Sequence, residues 1–222
     1  MQAGRHLVER AAVVAALATV CATTPWAQSQ PAAREGYAEQ SGARLWYRDT
    51  GGSGVPVVFL HAATGNSLVW EYQLAAFTRA GYRVVTYDRR GFGRSAIEPA
   101  GAQPGTDADD LLGLLDRLGL DRAHHGTRRW LALHDLSWPG GSPPRAQATR
   151  NRITFALLET LTVPTLLLTG DADLYTPPAV LRLFTARIKG AESLVVAEAG
   201  HSAYWEQPET FNRAVLEFHR RH

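Results

Sequence analysis

The chain has 222 residues, 45% of them apolar and 20% charged, with 23 Lys+Arg against 21 Asp+Glu and a formal net charge of +2. That length suits one ordinary globular domain, and the composition argues against wholesale disorder and a fibrous fold. The balanced charge gives no electrostatic case for nucleic acid or acidic lipid as main partner. One cysteine, Cys21, excludes an internal disulfide framework and a Cys-based zinc site.

Arg5 and Arg10 precede an uncharged apolar run from Ala11 to Ala22, and Pro25-Trp26-Ala27-Gln28 follows. This order predicts a secretory signal peptide over residues 1–27, cleaved after Ala27, and export to the periplasm or beyond. The apolar run is shorter than the ~20 residues that a membrane-crossing helix needs, so no stable span is expected. Residues 28–35 read as a flexible tail and 36–222 as a single domain.

Within that domain Gly36–Gln40 and Arg44–Thr50 read as strands, and Gly51-Gly52-Ser53-Gly54 as a turn. Pro56–Leu60 is continuously apolar, as a strand buried on both faces should be. Trp70–Ala80 has helical spacing and stops at Gly81; Val84–Tyr87 is the next buried strand. Asp107–Leu118 is an amphipathic helix, with Leu111, Leu114, Leu115 and Leu118 on one face and three Asp near its start. After an irregular stretch come a strand at Pro164–Thr169, a helix at Pro177–Ile188, a strand at Leu194–Val196 and a helix at Pro208–His219. Strands alternating with helices predict an α/β fold with a largely parallel sheet and helices on both faces.

In such sheets ligands bind beyond the C-terminal ends of the strands. There the chain reads His61-Ala62-Ala63-Thr64-Gly65, Asp88-Arg89-Arg90-Gly91-Phe92-Gly93-Arg94-Ser95, Gly170-Asp171-Ala172-Asp173 and Gly200-His201-Ser202. The ordered set, over about residues 36–124 and 160–222, resembles the α/β-hydrolase family of serine-type esterases and lactonases. The resemblance implies that the amide of Ala63 contributes to an oxyanion hole and that Ser95 is a turn residue. It implies that Asp173, rather than Asp171, is the acid orienting the base His201, which precedes the family-like run Glu206-x-Pro208-Glu209-x-Phe211-Asn212. His61 reads as a packed histidine bonded to backbone.

Two other patterns carry less. Gly91-x-Gly93-x-x-Ala96 fits a dinucleotide fingerprint formally, but it leads into Ile97-Glu98-Pro99 and not into a helix. His124, His125, His134 and Asp135 match no standard metal-ligand spacing. No metal or organic cofactor is implied.

The family's nucleophile occupies G-x-S-x-G at a strand-to-helix elbow, and this sequence contains no such motif. The stretch from His124 to Asp173 is too short for an elbow, its helix, a further strand–helix unit and a full lid. An internal deletion is therefore expected, with its junction near His124–Thr127 and residues 126–152 an irregular lid remnant. The sheet should keep about six strands, with Pro164–Thr169 paired to Val57–Leu60 or to a stub at Arg122–His125. Loss of the nucleophile also removes an oxyanion donor, which alone costs on the order of 10²–10³ in rate. The expected function is impaired hydrolysis of small carboxylic esters, lactones or related carbonyl substrates, the small-molecule partner being acyl- or lactone-like. The alternatives are a non-catalytic binding or interaction module and a gene remnant.

Overall fold

The computed structural model describes residues 33–40, 42–62, 65–97, 107–120, 131–134 (backbone) and 155–222. The elements of its first half are β1 (Arg34–Gln40), β2 (Ala43–Asp49), β3 (Pro56–Leu60), a 3₁₀ turn (Ser67–Trp70), α1 (Glu71–Arg79), β4 (Arg83–Tyr87), β5 (Ala96–Ile97) and α2 (Asp107–Arg117). There follow β6 (Leu131–His134), α3 (Phe155–Glu159), β7 (Leu166–Gly170), α4 (Pro178–Thr185), β8 (Glu192–Val196), α5 (Ala203–Glu206) and α6 (Pro208–Arg221).

The main sheet has six strands, ordered β1-β2-β4-β3-β6 with β5 pairing to β2. Strands β1, β2 and β5 are antiparallel to their neighbours, whereas β4, β3 and β6 run parallel. The apolar run of β3 is explained by its two faces. Val58 and Leu60 pack with Val85, Tyr87 and the α2 residues Leu114 and Leu115. Val57 and Phe59 face the other way, against Trp70, Phe77 of α1, and Phe211 and Val215 of α6. Helices thus cover both faces, as parallel strands require. Leu166 and Leu168 of β7 join the second cluster from the side.

Three expectations are corrected. Leu131–His134, inside the stretch read as irregular lid remnant (126–152), is a strand parallel to β3, with Val57 opposite Leu131 and Leu60 opposite His134. It supplies the second backbone partner that an apolar central strand needs, and a four-residue run is too short to announce itself by periodicity. In consequence β7 pairs neither with Val57–Leu60 nor, among the described residues, with any stub; it pairs in parallel with β8 as a separate two-stranded sheet. The described strands therefore number eight, six in the main sheet and two beside it. The tail also ends earlier than read, because Arg34 and Glu35 already pair with Asp49 and Arg48. The signal peptide of residues 1–27, the candidate donor Ala63 and the junction at His124–Thr127 lie outside the described residues. Among the described residues no helix is long and apolar enough to cross a membrane.

Candidate active site

Strands β7 and β8 are parallel neighbours, so the loops that follow them leave the same, C-terminal end of the pair. Gly170 lets those loops meet: a Cβ there would lie 1.9 Å from the Ala199 carbonyl oxygen. Only glycine admits so close an approach of backbone to backbone. The Asp171 N–H donates to the Val196 carbonyl at 2.9 Å, and the Ala172 N–H to the Ala199 carbonyl at 3.0 Å. The Asp171 carboxylate accepts from the Ala199 N–H at 3.3 Å, so this acid ties one loop to the other.

Asp173, two residues on, is buried and faces His201. Its Oδ1 accepts from the backbone N–H groups of Tyr175 (2.8 Å) and Thr176 (2.9 Å). The Thr169 hydroxyl lies 2.8 Å from Oδ2 and 2.7 Å from the Thr176 carbonyl, with one hydrogen to share between them. Burial pushes the Asp173 carboxyl up, but donors from Thr176, Thr169, His201 and Tyr175 outweigh it and hold the group below the ordinary carboxylate range.

His201 places Nδ1 3.0 Å from Oδ2 and 3.1 Å from Oδ1 of Asp173. An ionised carboxylate can only accept, so the shared proton belongs to Nδ1, and Nε2 is the basic nitrogen of the neutral ring. The loop around the histidine is clasped by Glu206, which takes the N–H of Gly200 at 2.8 Å and that of Ser202 at 3.0 Å. An acid oriented by four donors and an imidazole with a fixed tautomer make a proton-accepting pair.

The remaining site candidates have structural partners. His61 is fully buried; its Nε2 accepts from the Arg89 N–H at 2.9 Å, which leaves Nδ1 to donate to the Ala62 carbonyl at 2.6 Å. Those two bonds define a neutral ring pinned between the β3 and β4 loops. Ser95 donates to the Asp88 carbonyl at 2.6 Å and accepts from the Trp46 N–H at 2.8 Å, as a turn residue does. Gly93, at φ 53°, sits where a Cβ would strike the Asp88 carboxylate at 2.1 Å. Thr169, Tyr175 and the clasp made by Glu206 lie outside the motifs that mark the site in the sequence. Only Glu206 left a signal, as the first residue of the run after His201.

Comparison with known proteins agrees with this layout. A family model described as alpha/beta hydrolase fold matches residues 55–125, and one described as TAP-like protein matches residues 137–221. A non-heme chloroperoxidase of Kitasatospora aureofaciens is 43% identical over 81 residues, 36% of this chain and 29% of that protein. A bifunctional esterase/perhydrolase of Acinetobacter calcoaceticus is 36% identical over 87 residues, 39% of this chain and 32% of that protein. The chain thus spans under a third of the length of the curated relatives it matches. A solved structure of an N-acyl homoserine lactone degrading enzyme superposes with a TM-score of 0.63 at 25% identity, covering 82% of this chain and 100% of that one. With helices on both faces of a mixed sheet, loops in family order at its strand ends and family models matching on both sides of β6, the chain has the α/β-hydrolase fold.

Proposed function

We propose that this chain is an exported hydrolase of small carboxylic esters or lactones in which the Asp173–His201 pair activates water directly. The observation that carries the reading is the approach of His201 Nδ1 to 3.0 Å from a buried Asp173 carboxylate at the strand ends. Water attacks the carbonyl carbon as its proton passes to His201 Nε2, and Asp173 stabilises the imidazolium. The same proton then goes to the departing alkoxide, so that acid and alcohol are the products. The amide of Ala63 is the oxyanion donor in this scheme. With no G-x-S-x-G in the sequence, no acyl-enzyme forms on that motif and turnover is slow.

The missing motif also favours a second reading, a binding module that uses the same pocket without turnover. Purified protein should hydrolyse p-nitrophenyl acetate and butyrate above background, and His201→Ala should abolish the excess. A rate equal to buffer would leave only binding. Export is tested separately: mass spectrometry of the secreted or periplasmic form should give a new N-terminus at Gln28, and an intact Met1 in a cytosolic fraction would contradict it.

A further inference from the structure

Tyr175 touches both members of the pair. Its backbone N–H donates to Asp173 Oδ1 at 2.8 Å, while its ring meets the His201 imidazole edge to face, with centroids 5.0 Å apart and planes at 61°. The residue is nevertheless 63% exposed, and its neighbour Leu174 is 93% exposed. A tyrosine so open to water contributes little to the core. Its ring lies instead against the His201 imidazole, which faces the buried acid.

The imidazole needs that contact for a physical reason. Asp173 meets His201 at Nδ1, and the side chain is 23% exposed, so rotation about its two torsions would carry the ring toward solvent. An edge-to-face neighbour closes off that rotation, and such a pair changes a population ratio by roughly two- to tenfold. The acid is held by backbone amides and by Thr169, none of which depends on the tyrosine side chain.

We propose that Tyr175 is a positioning residue that keeps the His201 imidazole turned toward Asp173. The proposal rests on the reading of His201 as the base, because only a base requires one orientation, but its test does not require turnover. In full-length protein labelled with 15N-histidine, the proton shared by His201 and Asp173 is followed by NMR as a far-downfield Nδ1–H resonance. Tyr175→Phe should keep that resonance and its exchange rate with water. Tyr175→Ala, and Tyr175→Leu, which keeps bulk and loses the ring, should speed the exchange about two- to tenfold. Equal exchange in wild type, Ala and Leu variants would overturn the proposal, as would a loss on Tyr175→Phe, which would assign the effect to the hydroxyl. If wild type shows the resonance but no ester hydrolysis, the hydrolase reading fails while the Tyr175 result still stands on its own.

Discussion

Strand β3 is buried at every residue, with β4 on one edge, β6 on the other and helices over both faces. Strand β7 is as apolar at its start, yet its three leucines are only partly buried, and Val195 of its partner β8 is 38% exposed. The two regions hold their functional loops by different means. Around β3 the apolar core fixes the strands, and the hydrogen bonds of His61 and Ser95 join loops whose strands are already buried. Beside β7 the Asp173–His201 pair depends on a local polar lattice: Gly170 for the close approach, Asp171 and Glu206 as ties, and Thr169 with two amides on the acid. The pair thus sits on the less buried part of the molecule, where hydrogen bonds carry more of the loop geometry than core packing does.

Large-to-small substitutions should expose this contrast most strongly. Phe59 is fully buried against the rings of Trp70 and Phe77, at 5.0 and 5.1 Å. Phe59→Ala should cost about 3–5 kcal/mol in urea unfolding, and Leu166→Ala on β7 about half that or less. Equal losses would erase the distinction between the regions. For the polar lattice the probe is Asp173→Asn, which replaces an acceptor of four donors with an amide. It should cost about 2 kcal/mol at neutral pH by the same measurement, with little change in the cooperativity of the main transition.

Acid titration should sharpen the comparison further, since each region has a buried carboxyl held below its ordinary range, Asp49 in the main sheet and Asp173 beside β7. Burial pushes Asp49 up, but hydrogen bonds from Arg83 at 2.9 and 2.6 Å and from the Gly51 N–H hold it below the ordinary range, as the donors of Asp173 do there. A carboxyl depressed by folding binds fewer protons in the native than in the unfolded state. Its stabilisation is therefore complete above the unfolded carboxylate pKa, ~4, and is lost as pH falls through the lower folded value. Asp49→Asn and Asp173→Asn should each flatten the fall of stability between about pH 5 and 2, additively because they lie in separate regions. A profile unchanged by either variant would contradict the assignment. The smallest effect belongs to Trp205→Ala: the residue is 43% exposed and its ring meets that of Tyr72, itself 44% exposed, at a tilt of 58°. Its loss should stay within about 0.5 kcal/mol.

Much of this layout is readable from residue order. The apolar runs Pro56–Leu60 and Val84–Tyr87 announce strands because both faces are covered, and Gly170-Asp171-Ala172-Asp173 and Gly200-His201 announce the loops that meet. What the sequence hides is of two kinds. Strand β6 is four residues long, and its pairing with β3 is a long-range event that local pattern does not encode. The roles of Thr169, Tyr175 and Glu206 depend on how two loops fold over each other, and hydrogen-bond direction there follows from backbone conformation and not from residue type. Asp171 and Asp173 differ by only two positions, and the structure gives them different partners, Ala199 for one and His201 for the other.

The central claim is that Asp173 and His201 work as one proton-accepting unit. A double-mutant cycle on ester hydrolysis tests it most directly, with kcat/KM measured for wild type, Asp173→Asn, His201→Ala and the double variant. If the pair acts as a unit, the double variant is no slower than His201→Ala alone. Losses that multiply, or an Asp173→Asn variant as fast as wild type, would contradict it.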